Sequence, residues 1–287
     1  MKKSTLFIAA LALGATTAFA QDLTSKKGEP ILPEAGDYAI GVEASPFLNY
    51  FGNLFNGTQN NSFGGWNFTN GNMMITGKMF ATETMAYRGM LRIGFGSTKV
   101  TTNVSDDLTA GEFKTDELKM SGNYIGLGGG LEWRRGKGRL QGYWGGMIMF
   151  GIGSNKDTYT YGNDITNTNN FPTTTDFSSY TGYPNQPVPG TRITEWKSGS
   201  QMDFGLRGFV GAEFFVLPKL SIGGEFGWGL MFSSMGASST STEFWDGVAG
   251  AKDEQTTEGG KWSMFGVDTD NNAFGLAPAA VLIHFHF

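Results

Sequence analysis

The sequence predicts an all-β chain: an antiparallel up-and-down β-barrel of eight strands that is transmembrane and carries long extracellular loops. Three observations lead there. The last strand alternates. Counting back from the end, Phe287, Phe285, Ile283, Val281, Ala279 and Ala277 are apolar, with His286 and His284 between them. One face is therefore greasy and the other partly polar. Charged residues recur opposite long apolar residues in several other stretches. Composition also suits strands, with 44 Gly, 24 Phe, 9 Tyr and 7 Trp among 287 residues and only 16% charged. No apolar run reaches the roughly 20 residues that a spanning helix needs.

Residues 1–20 read as a secretory signal. Lys2 and Lys3 are its charged end, 6–13 its apolar run, and Ala18-Phe19-Ala20 a small-x-small cleavage site. Residues 21–36, with Pro30 and Pro33, form a periplasmic lead-in expected to be mobile. Residues 37–287 form the barrel. The chain has no Cys, which excludes disulfides and a lipid anchor on an N-terminal Cys. Its net charge of −5 argues against nucleic acid as a partner.

Strand patterns come in pairs. Residues 37–45 put Tyr38, Ile40, Val42 and Ala44 on one face and Glu43 on the other. Residues 72–80 put Met73, Ile75, Gly77 and Met79 toward lipid, with Lys78 opposite. After a short turn at 82–84, residues 85–97 place Tyr87, Leu91, Ile93 and Phe95 outward, against Arg88 and Arg92. Residues 119–134 and 139–154 follow, joined by a turn at 135–138. Then come 199–215 and 220–234, joined at 217–219, and the closing strand. Polar loops fill 46–70, 99–118, 155–198 and 235–271, with 158–161 and 191–196 extending their strands outward. Three short turns and four long loops match the outer-membrane pattern of short periplasmic and long external connections. A ten-stranded version stays open if the third or fourth loop hides a membrane-deep hairpin.

Alternation alone does not tell inside from outside. A soluble β-sandwich or lipocalin-like barrel would also alternate, with its apolar face buried. The deciding feature is the charged face: Glu43, Lys78, Arg88, Arg92, Glu132, Arg134, Asp203, Arg207, Glu213 and Glu225 all alternate with long apolar residues. Five acids balance five bases, as a closed polar interior requires, because a buried charge is tolerable only when paired. With barrel closure at Phe285 and Phe287, the chain resembles the small eight-stranded outer-membrane barrels of the OmpA transmembrane domain and OmpX type. The resemblance is architectural and covers 37–287. It implies the cell outer membrane of a Gram-negative envelope, with membrane lipid, lipopolysaccharide and the barrel assembly machinery as partners. No peptidoglycan-binding domain follows the last strand, so a cell-wall tether is not expected.

Chemistry is sparse. Side chains fill an eight-stranded lumen, which disfavours a wide porin-like channel. The inward Gly94, Gly126, Gly128, Gly130, Gly205, Gly223 and Gly227 leave room for water or a narrow leak. The two His, His284 and His286, read as boundary residues rather than a catalytic base. Asp106, Asp107, Asp253 and Glu254 read as surface charge. The run Asp268-Thr269-Asp270-Asn271-Asn272 begins like a calcium loop but lacks the Gly at the sixth place and the terminal Glu. No metal or cofactor is expected. Phe47, Tyr50, Phe51, Leu54 and Phe55 have the spacing of a short amphipathic helix. With Tyr159, Tyr161, Tyr180, Tyr183 and Trp196 they make a candidate loop interaction surface. The third-loop aromatics suit stacking on sugars or a protein, or packing of the loop on itself.

The expected function is that of a structural or interaction module, acting through its loops, as an accessory subunit of a larger outer-membrane complex. A small channel or ligand-binding barrel is the alternative. A hydrolase ranks last.

Overall fold

The computed structural model describes residues 23–44, 75–186, 190–248, 251–268 and 279–287. The signal sequence, Met73, the aromatic run from Phe47 to Phe55, the residues after Asp268 in the calcium-like run and the side chain of Glu43 lie outside the described residues.

The strands are β1 (Tyr38–Glu43), β2 (Ile75–Thr82), β3 (Met85–Ser105), β4 (Phe113–Lys137), β5 (Leu140–Thr160), β6 (Thr191–Lys197), β7 (Gln201–Leu217), β8 (Leu220–Met235), β9 (Ser239–Asp246), β10 (Ala251–Glu258), β11 (Trp262–Asp268) and β12 (Ala279–His286). One helical turn, α1 (Ser178–Thr181), lies between β5 and β6. Eight of the strands close a ring in the order β1-β2-β3-β4-β5-β7-β8-β12, every pairing antiparallel. The seam joins the two ends of the described sheet. Ala39 pairs with His286, and the Phe287 N–H donates to the Tyr38 carbonyl at 2.8 Å. Closure leaves no unpaired edge at this level.

The sheet is inverted relative to a soluble barrel. Ile40, Tyr87, Leu127, Ile148, Val210, Phe226 and Phe285 all point outward and are exposed, while Lys78, Glu132 and Glu213 are buried. On β5 the exposed apolar residues run from Leu140 to Ile152. At about 3.4 Å per residue and a tilt of roughly 40°, that band is about 30 Å tall. Above it the outward positions turn polar, at Ser97, Asn123 and Ser154.

Several expectations need correction. Residues 99–118 are not a loop: β3 and β4 continue as a ladder to the Ser105–Phe113 pair. Outside lipid a strand needs no greasy face. Here β-branched residues and the Lys99–Glu117 pair at 2.6 Å hold the hairpin instead. The third loop is a folded unit whose β6 pairs with β5 at Lys156 to Thr158 and with β9. The fourth loop contains β9, β10 and β11. Strand β11 continues the stave of β12, pairing with the upper half of β8 (Asp268 with Gly229) while β12 takes the lower half (Ala279 with Phe226).

Residues 23–36 of the lead-in carry local structure. Ser25 Oγ accepts from the Lys27 and Glu29 amides at 3.2 and 3.1 Å, Ile31 is buried, and the Gly36 N–H donates to the Phe80 carbonyl at 2.7 Å. Leu32 faces Glu83 and Arg134 across a shallow cleft, so this segment lies over the turn end of the ring.

Inward glycines do not leave the lumen empty. A methyl group on Gly227 would collide with the Arg207 guanidinium, and one on Gly128 with Met90. Small residues on one stave make way for large ones on another. Outward Gly129 meets nothing within 4 Å. Gly227→Ala is therefore expected to cost about 1–3 kcal/mol. Gly129→Ala is expected to be neutral or slightly stabilising. Urea midpoints of the refolded barrel in micelles read both.

Candidate functional site

The interior is layered along the barrel axis. The floor, at the turn end, stacks Phe80 and Phe215 on His286, with ring centroids 5.7 and 5.1 Å apart. Ser221 Oγ lies 3.1 Å from His286 Nε2. Glu213 meets the other histidine, His284, at 3.7 Å. A hydrolytic relay needs its carboxylate on the imidazole that contacts the serine, so this group does not make one. Ser221 and both His are fully enclosed, and the floor is structural packing.

The next layer is ionic. Lys78 pairs with Glu132 at 3.0 Å and Glu213 at 3.4 Å. Arg88 pairs with Glu225 at 2.5 Å and Glu132 at 3.4 Å. Arg207 meets Glu225 at 2.6 Å, and Arg134 meets Glu213 and Glu132. Strands β2 and β7 are four places apart in an eight-membered ring, as are β3 and β8. The Lys78–Glu213 and Arg88–Glu225 pairs therefore cross the full diameter of the lumen.

Above lies an apolar layer of Met90, Tyr143, Met147, Met149 and Phe209, packed against Met231. The cations below press on its rings, with Lys78 4.7 Å from the Tyr143 centroid and Arg88 4.4 Å from that of Phe209. Charge layer and apolar layer together close the barrel to through-flow. At this level the described side chains fill the space that the inward glycines leave for water or a narrow leak.

Higher still, the interior opens into a vestibule of about 790 Å³. Asp203 anchors its base. Its carboxylate accepts from the Tyr124 hydroxyl at 2.9 Å, from the Gln201 side-chain amide at 2.9 Å and from the Ser233 hydroxyl at 2.6 Å. The Arg92 guanidinium lies 4.8 Å from the centre of the Tyr124 ring. At the mouth, Trp196 is the register partner of Asp157 and shares its inward face. The Tyr183 hydroxyl donates to Asp157 at 2.6 Å, and its ring tilts against Trp196 at 5.9 Å. Burial, then the hydrogen bond to Asp157, push the Tyr183 phenol well above its ordinary range, so it remains a donor.

A folded cap stands beside the vestibule. Leu118, Tyr159, Tyr161, Phe177 and Ile193 form its core. Side chains satisfy many of its buried backbone polar groups, while the Tyr159 hydroxyl, Thr175 Oγ1 and Arg192 Nη1 find no hydrogen-bond partner among the described residues. Asp116 accepts from the Gly162 and Thr175 amides at 2.8 and 2.7 Å. Asn185 accepts from the Phe177 amide at 3.0 Å and donates to the Thr175 carbonyl at 2.9 Å. Arg192 pairs with Glu243 at 2.6 Å and lies over Tyr161 at 4.3 Å. Asp106 takes the Leu108 amide at 2.9 Å, and Asp107 takes that of Thr173 at 2.7 Å. Asp107 ties the third loop to the β3–β4 hairpin, whereas Asp106 bonds within that hairpin, to Leu108 and Lys114.

The predicted sites thus divide. Lys78, Arg88, Glu132, Arg134, Arg207, Glu213 and Glu225 come together in one layer. Asp203 and Arg92 belong to the vestibule above. Phe285 and Phe287 lie exposed beside the seam. Tyr159 and Tyr161, expected on an interaction surface, are buried in the cap core and do not offer one. Tyr180 is exposed, and Tyr183 and Trp196 line the vestibule. The alternation of 199–215 already puts Gln201 on the inner face; Asp157 escapes it because it falls in a stretch that reads as loop, and Tyr124 because no charge marks it within its strand.

No family model and no curated protein matches this sequence. Among solved structures, the chain is similar to a major outer membrane protein from Thermus thermophilus, with a TM-score of 0.34 and 10% identity over 88% of this chain and 100% of that one. So distant a likeness carries no argument about function.

Removing one member of the ionic layer strands its partners. Glu225→Gln leaves Arg88 and Arg207 undercompensated and is expected to lower unfolding stability by about 3–5 kcal/mol. Glu258→Gln, on exposed β10, should change it by less than about 0.5 kcal/mol. Equilibrium unfolding in micelles separates the two.

Proposed function

We propose that the chain is an integral outer-membrane protein of the small eight-stranded barrel type, working as a structural or interaction module through its extracellular cap. One observation carries this reading: a closed sheet with an apolar exterior about 30 Å tall around an interior of buried ion pairs. Water would not tolerate so much exposed aromatic and aliphatic surface, and lipid requires it. Lipid and lipopolysaccharide are then the partners of the band, and the assembly machinery its partner during insertion.

The cap supports a docking role because it is rigidly built and still shows apolar residues. Phe171, Leu108 and Phe113 are 67%, 63% and 70% exposed. An accessory subunit beside larger outer-membrane machinery fits these features. The small-channel reading is disfavoured by the pairs that cross the lumen. The ligand-binding reading keeps one supporting observation, the vestibule.

The absence of Cys makes single-cysteine labelling clean. Thr257→Cys, in β10, should react with an impermeant maleimide on intact cells, whereas Arg135→Cys, at the opposite end, should react only after the outer membrane is opened. Labelling of Arg135→Cys in intact cells would overturn the orientation. In planar bilayers the wild-type barrel should be electrically silent. A steady unitary conductance would replace the module with a channel.

A further inference from the structure

Beyond the docking role, we propose that the vestibule above the sealed lumen is a binding site for a short neutral oligosaccharide, with Trp196 as its stacking platform. Four features of the described residues lead to this class of ligand.

The volume, about 790 Å³, is that of a small-molecule site. The floor is closed by the apolar and ionic layers, so the space is a cup open at the cap end rather than a segment of a pore. Its lining is rich in planar or hydroxylic hydrogen-bonding groups, including Gln201, Asn155, Thr98 and Thr181. Paired hydroxyls on a sugar ring match such groups, each hydroxyl both giving and accepting a hydrogen bond. The aromatic residues stand at the mouth, where the apolar faces of sugar rings need them. Tyr183 is held by Asp157 at 2.6 Å and braces Trp196 at 5.9 Å, so the platform is ordered before a ligand arrives, which lowers the entropy cost of binding.

Charge selects among sugars. Among the described residues, the cup's lining carries one cation, Arg92, and one carboxylate, Asp157, while Asp203 is buried behind Tyr124 and Gln201. Lys156 and Lys197 pair with each other in the β5–β6 register one place from Asp157, so they lie on the outer face. There both contact Glu195 at 2.5 Å. The lining is therefore near charge balance and offers no surplus cation to phosphorylated, sulfated or uronic sugars.

The test uses the full chain in detergent. Maltotriose, cellotriose, xylotriose and N,N′,N″-triacetylchitotriose are titrated by calorimetry, with trigalacturonate as the anionic comparison. At least one neutral trisaccharide should bind saturably. Trp196→Ala should weaken it about tenfold through loss of the stacked face, and Gln201→Ala should weaken it severalfold. Trigalacturonate should bind severalfold more weakly than the best neutral sugar, because its three carboxylates would leave water for a lining with a single cation. Each variant is checked for the heat-modifiable gel mobility of a folded barrel. If all four neutral sugars fail to bind wild type, or the folded Trp196→Ala variant binds as well as wild type, the site is wrong. Tighter binding of trigalacturonate would overturn the neutral class. Neither result touches the membrane reading, which the labelling experiment decides by itself.

Discussion

Two ion pairs reach from one wall of the barrel to the opposite wall, Lys78 to Glu213 and Arg88 to Glu225. Charges placed inside a sheet whose exterior is apolar have no water to solvate them, so they must find partners across the lumen. The diameter, set by eight strands and their tilt, is short enough for these side chains to meet. The need for partners also explains why glycine recurs on the inner face. A guanidinium reaching toward the opposite wall needs a stave without a side chain in its way, and Gly227 beside Arg207 is such a place. Ring size, inner glycines and inner charges are one solution to one problem.

The same layer divides the interior by function. Below it, Phe80, Phe215 and His286 pack as a floor, and the lead-in covers the turn end. Directly above it, Tyr143, Phe209 and the methionines lie on the cations, where flexible thioether side chains fill irregular gaps. Only higher up does space appear, and there the wall is polar. The vestibule is thus a consequence of the filled layers beneath it, and it opens at the cap end.

The cap is held by different physics. Beyond the band the strands need no apolar face, and the hairpin of β3 and β4 rises on β-branched and charged cross-strand pairs. The third loop folds around Tyr161 and Phe177, and buried Asp116, Asn163 and Asn185 substitute for secondary structure in satisfying its backbone. A loop of this length built so firmly offers a defined surface, and its aromatic residues serve two ends. Tyr159 and Tyr161 hold the cap together, while Tyr183 and Trp196 face the cup.

The sequence by itself determined the ring. Period-two alternation and three tight turns point to eight staves, with ten left open, and the ten charges opposite apolar residues assign the inner side, because strand geometry separates the two faces by residue parity. Burial of Glu132, Arg88 and Asp203 followed from that parity. Tertiary structure decided what parity does not encode. Which acid meets which base depends on the register around a closed ring, so the diametric partners were not legible in the order of the chain. Residues 99–118 and 235–271 read as loops because polarity was the signal, and strands standing in water lose it. The vestibule gathers Arg92, Tyr124, Asp157, Tyr183 and Trp196 from separate stretches of the chain. Only the closure of the sheet and the folding of the cap bring them to one mouth.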